Sequence, residues 1–151
     1  MSVPQQLAEN DGVLRYLGDG LEPRDVPVVP APAEVDRWRL GAHPDIVERL
    51  WDILAAALPE PTAQLVAGGA ALVHPSSGLI LAVALGTQYA VRLTGTTLAE
   101  AVAAGYGTHH EFALVGRTLD LERTFGHGWV FGRHDMREPE WLAESYAAAN
   151  L

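Results

Sequence analysis

The chain of 151 residues contains no cysteine, which excludes disulfides, thiolate nucleophiles and cysteine-ligated zinc or iron–sulfur sites. Basic residues are also scarce: 10 stand against 19 acidic ones, giving a net charge of -9 at pH 7. This surplus repels phosphate backbones and anionic lipids, so we expect neither nucleic acid nor a membrane surface as a partner. A basic protein surface would be attracted instead.

Charged side chains are missing altogether between residues 61 and 91. A Pro/Ser/Gly turn at 74–78 interrupts this stretch, and each half is too short to cross a bilayer as a helix. The first ten residues lack the basic and apolar segments of a secretory signal. We therefore expect a cytoplasmic protein.

The length and the hydrophobic fraction of 48% fit one folded domain over residues 1–151. Five prolines fall within residues 1–43. Because proline fixes φ and removes a backbone donor, this segment is expected to be a largely irregular arm.

The rest of the chain predicts a helix, three strands, a short helix, two or three strands and a last helix, in that order. Apolar residues at helical spacing indicate a helix over 44–58, and a second helix is expected to start near Pro139. Between them, Thr97 and Glu100 fit a capping box. Strands are expected at 64–73, 79–85, 89–93, 112–115, 118–121 and 129–131. This order predicts an α+β fold, with an antiparallel sheet of about five strands and helices packed mainly on one face.

Histidines concentrate in the last third of the chain, beside acidic and basic residues. Together they form a candidate enzyme site, in which imidazole and carboxylate would serve as acid and base. None of the spacings that hold zinc in known motifs occurs, so we predict neither a metal nor a cofactor. The members of this site are His109, His110, His127, Arg133, His134 and Asp135.

The last predicted helix offers the competing site. Its acidic side chains would face solvent at one end of the chain, where they can meet a basic partner. The proposed contact residues are Asp135, Glu138, Glu140, Trp141 and Glu144. The leading hypothesis is thus a non-catalytic protein-binding module, such as an acidic inhibitor, immunity-type or adaptor protein. The alternative is a small hydrolase-like enzyme using the histidines around 109–135.

Overall fold

A computed structural model describes residues 3–112 and 117–149. The described strands are β1 (Val28–Pro30), β2 (Ala63–Val66), β3 (Gly69–Val73), β4 (Ile80–Leu85), β5 (Gln88–Arg92), β6 (His109–Phe112), β7 (Arg117–Asp120) and β8 (Trp129–Phe131). Six of them form an antiparallel sheet in the order β1-β2-β3-β4-β5-β8, and β6 and β7 pair as a separate ribbon. The predicted α+β class with an antiparallel sheet is confirmed.

Five α-helices accompany the sheet in the described part of the chain. They are α1 (Asp11–Gly18), α2 (Pro44–Glu48), α3 (Gly95–Ala103), α4 (Leu121–Thr124) and α5 (Glu138–Ala148). The chain after α2 remains helical, first as a π-helical segment at Arg49–Leu54 and then as a 3-10 turn at Ala55–Ala57. None of the described helices is long and apolar enough to span a membrane.

Both faces of the sheet are buried. Residues alternate between the faces because successive side chains in a strand point in opposite directions. Tyr89 and Val91 of β5 pack with residues of α2 and α5, whereas Ala90 packs with residues of α1 and Leu121. The expected packing of the helices mainly on one face is therefore not confirmed, since helices contribute to both cores.

The segment predicted as one strand at 64–73 is instead a hairpin. Ala67 and Gly68 both have positive φ, at 50° and 80°, as a two-residue hairpin turn requires. Val66 accordingly pairs with Gly69 across the turn. The following strands β3, β4 and β5 are consecutive antiparallel neighbours, as expected.

Two further expectations meet a different outcome, and a third lies mostly outside the described residues. The proline-rich segment contains α1 and β1, of which β1 pairs with β2. The capping box at Thr97 is wrong, because α3 begins two residues earlier and the Thr97 hydroxyl donates to the Thr94 carbonyl oxygen at 2.7 Å. The strand expected at 112–115 falls mostly on residues 113–116, outside the described residues.

Candidate functional site

A buried carboxylate stands at the start of α5. Glu138 is 1% exposed, and its Oε1 accepts hydrogen bonds from Arg49 Nη2, at 2.9 Å, and from the Tyr89 hydroxyl. Its Oε2 accepts from the Tyr106 hydroxyl and from the backbone N–H of Arg133, at 2.8 Å. We call Arg49, Tyr89, Tyr106 and Glu138 the Glu138 cluster.

Four elements bring the cluster together. Arg49 opens the π-helical segment and is buried, although its helical spacing predicts a solvent-facing side chain. Tyr89 comes from β5, and Tyr106 follows α3. Glu138 is the first residue of α5, where the helix dipole favours a negative charge.

The protonation states of the cluster support one another. Burial opposes ionisation of Glu138, but hydrogen bonds led by those of Tyr106 and Tyr89 outweigh it, so the pKa of Glu138 lies below its ordinary value. Burial raises the pKa of both tyrosines, and the bond to Glu138 raises it further. At neutral pH the cluster therefore holds an ionised Glu138, a charged Arg49 and two neutral tyrosines.

The cluster fixes the backbone of residues 132–137, which we call the 132–137 loop. The backbone N–H of His134 donates to the Tyr89 hydroxyl at 2.7 Å, and Arg49 Nη2 donates to the Asp135 carbonyl oxygen at 2.7 Å. A Cβ atom at Gly132 would lie 1.9 Å from the Tyr89 ring, so only glycine allows this approach. The loop is thus attached to the core by hydrogen bonds along its length and by close packing at its start.

The outer side of the same loop faces solvent. Met136 is 92% exposed at its tip. Arg137 forms a two-point ion pair with Asp135 and lies over the Trp141 ring. The side-chain bond to Arg137 lowers the pKa of Asp135 to about 2, so this carboxylate is ionised and a weak base at neutral pH.

The proposed partner-contact residues divide into two groups. Glu140 and Glu144 are exposed on α5, and Asp135 is half-buried. Glu138 and Trp141 are buried, and the Trp141 indole N–H donates to Glu100 at 3.0 Å. Only the first group can meet a partner in this conformation.

The histidines of the alternative enzyme site have separate neighbours. His109 lies 3.2 Å from Asp120, and His127 lies 3.0 Å from Glu122. The His134 ring stands edge-on to Tyr89, while the ring of His110 lies beside Phe131. Within residues 3–112 and 117–149, no group of three possible metal ligands is brought together.

Sequence reasoning missed Arg49, Tyr89 and Tyr106. One signal was present: alternation in β5 places Tyr89 on an apolar face, and a buried tyrosine hydroxyl needs a hydrogen-bond partner. Nothing in the sequence indicates which residue that partner is.

Comparison of the chain with models of protein families, with curated proteins and with solved structures gave no significant match.

Proposed function

We propose that this chain is a non-catalytic protein-binding module that docks on a basic partner, as an acidic inhibitor, immunity-type or adaptor protein does, and that it acts in the cytoplasm. The contact region comprises the 132–137 loop and the exposed acids Glu140 and Glu144. The observation that carries the proposal is that the loop backbone is anchored from behind while Met136 is presented to solvent.

Anchoring supports binding because a loop that is ordered before association loses less conformational entropy on docking. An exposed large side chain on such a loop can fill a pocket of the partner, where most interface energy is concentrated. The acids of α5 would raise the association rate through long-range attraction.

The chemistry of the Glu138 cluster favours this function over catalysis. The carboxylate of Glu138 already accepts four hydrogen bonds, and its neighbours are a charged arginine and two tyrosines of raised pKa. An effective acid or base needs a pKa near the working pH and access to a substrate. The cluster meets neither condition at neutral pH.

The first test measures association directly. A partner captured at low salt is immobilised, and association and dissociation rates are measured by biolayer interferometry at two salt concentrations. Reversing Glu140 and Glu144 to Lys should slow association and weaken its salt dependence, while Met136→Ala should raise the dissociation rate about tenfold.

Matched variants locate the contact. Glu22→Lys with Asp25→Lys makes the same change of charge at exposed positions before β1, and it should leave the salt dependence closer to that of the wild type. Trp38 is the most exposed aromatic residue of the described chain, at 74%, so Trp38→Ala tests a competing surface. Equal effects of the two double reversals, or an effect of Trp38→Ala alone, would reject the 132–137 loop as the contact region.

A further inference from the structure

A cleft of about 450 Å³ opens beside the carboxyl end of β5 and the start of α3. This volume lies within the range of small-molecule sites. Its walls are mainly apolar, and polar or charged side chains belong to five of its twelve lining residues. Its lining includes Glu9, Leu79, Arg92, Thr94, Leu98 and His127.

Arg92 is the unusual member of this cleft. It is only 9% exposed, and no carboxylate of the described residues lies within ion-pair distance of it. Its Nη2 donates to the backbone oxygen of Glu9 at 2.8 Å, while its buried Nε has no hydrogen-bond partner in the described structure. Arg92 is therefore a largely buried cation for which the described residues provide no carboxylate.

Arg92 remains a cation in this setting. Burial lowers the pKa of Arg92 to about 10, which is still well above neutral pH. The side chain also lies over the Trp129 ring, with its guanidinium carbon 5.0 Å from the ring centroid, so that one face rests on an aromatic surface.

A second source of positive potential meets the same cleft. The nine-residue helix α3 begins at Gly95, and its N-cap Thr94 makes no side-chain capping hydrogen bond. Both residues line the cleft. The first backbone N–H groups of a helix are donors without intrahelical partners, and the helix dipole favours an anion there.

From these observations we propose that the cleft binds a small organic anion, a carboxylate attached to an apolar body, with the carboxylate held by Arg92 and the start of α3. A guanidinium donates charge-assisted hydrogen bonds to a carboxylate, and these are stronger than hydrogen bonds between neutral groups. The leucines of the cleft, including Leu79 and Leu98, supply the surface for the apolar part. This site is independent of the proposed protein-docking function.

Other charged groups at the cleft influence its affinity for an anion. Glu9 is exposed and lines the same space, so its carboxylate opposes a bound anion. His127 also lines the cleft, but it pairs with Glu122. Removing the charge of Glu9 by Glu9→Gln should therefore strengthen binding.

The test uses octanoate, acetate and octylamine as probes in isothermal titration calorimetry with the whole chain. Octanoate should bind saturably, acetate at least about tenfold more weakly because it lacks the apolar body, and octylamine not measurably. Equal binding of octanoate and octylamine would overturn the proposal, since the cleft would then be merely apolar. The proposal would also be overturned if octanoate did not bind at concentrations up to about 10 mM, since a specific site should bind it with at least millimolar affinity.

Variants separate the anion site from general effects on folding. Arg92→Gln should weaken octanoate binding at least about tenfold, while Arg123→Gln, a change at an exposed arginine of α4, should not. Because loss of Arg92 can also disturb packing on Trp129, Thr94→Asp provides a second variant. An Asp at the N-cap stabilises a helix and places a negative charge where the anion would bind.

Thr96→Asp is the control for that second variant. Thr96 is exposed in the first turn of α3 but does not line the cleft. Thr94→Asp should abolish octanoate binding without lowering the melting temperature, and Thr96→Asp should weaken binding less. Undiminished binding in Thr94→Asp would contradict the proposed position of the carboxylate.

Discussion

Two arginines of this protein are almost equally buried, Arg49 at 8% and Arg92 at 9% exposure, yet their surroundings differ. Arg49 meets the carboxylate of Glu138 at 2.9 Å, whereas Arg92 donates to a backbone oxygen and lies over an aromatic ring, with no carboxylate of the described residues within ion-pair distance. A buried charge is tolerated when it is paired and hydrogen-bonded. Arg49 is thus neutralised by a carboxylate of the same chain. Arg92 is not, which is why we propose that a bound anion pairs with it.

The largest expected loss of stability follows when Arg49, like Arg92, has no carboxylate partner. Glu138→Ala leaves the guanidinium without its carboxylate and two tyrosine hydroxyls without their acceptor, so we expect a loss of about 3–5 kcal/mol in the free energy of unfolding. Urea denaturation measures this change. Glu140→Ala removes an exposed acid from the same helix and should cost less than about 0.5 kcal/mol.

An equal cost for these two variants would break the comparison, because it would show that Arg49 does not depend on Glu138. If only Glu138→Ala lowers the free energy of unfolding, the ion pair of Arg49 and Glu138 stabilises the fold and helps to hold the 132–137 loop.

A smaller effect is expected when the packing around Tyr89 changes but all charges remain. Gly132→Ala places a methyl group against the Tyr89 ring, which is fully buried and held by its hydroxyl. The ring cannot move aside freely, so we expect a loss of about 1–3 kcal/mol by urea denaturation.

Gly107→Ala is the matched control, because a Cβ atom there would meet nothing within 4 Å. It should leave stability nearly unchanged. If Gly132→Ala is also neutral, Tyr89 is less firmly held than its contacts indicate, and the anchoring of the loop is weaker than we infer.

The smallest expected change in stability at neutral pH comes from removing the charge of Glu138, and it appears in the pH dependence of unfolding. The pKa of Glu138 is lower in the folded protein than its ordinary value, so the unfolded state takes up this proton more readily. The stability contributed by its ionisation is therefore present above about pH 4.3 and is lost as the pH falls through the folded pKa. Unfolding free energies measured between pH 7 and pH 3 should fall more steeply in the wild type than in Glu138→Gln.

At alkaline pH the two tyrosines make the free energy of unfolding fall as the pH rises. Because the pKa of Tyr89 and Tyr106 is raised in the folded protein, their contribution is complete below about pH 10 and is lost as the pH rises further. For the acid range, the contradicting outcome is an equal loss of unfolding free energy between pH 7 and pH 3 in Glu138→Gln and the wild type. It would show that other carboxylates cause the acid sensitivity.

The sequence allowed the strands to be predicted better than the site. Uncharged runs and a turn motif suffice to place β3, β4 and β5, because burial on both faces is encoded locally. The hairpin at Ala67 and Gly68 was missed, since alanine does not normally indicate a residue of positive φ.

The Glu138 cluster lay beyond sequence reasoning for a different reason. Its members, at positions 49, 89, 106 and 138, meet only when four elements pack together. Taken singly, Glu138 resembles any acid in the first turn of a helix, and Arg49 resembles a helical surface residue. For Arg92, alternation along β5 predicts the face it shares with Ala90, but not the cleft, which α3 helps to form.

The edges of the six-stranded sheet have a consequence for aggregation. The longest uncharged stretch of the chain, residues 61–91, supplies the four inner strands except for Arg92 at the end of β5. An apolar β-rich segment of this kind is prone to intermolecular pairing when exposed. Both outer strands, β1 and β8, are only three residues long, β1 ends at Pro30, and the Phe131 N–H of β8 is already bonded to the Gly107 oxygen at 3.0 Å. Short, partly occupied edges give a second chain little backbone on which to extend the sheet, so the inner strands are protected as long as β1 and β8 stay in place.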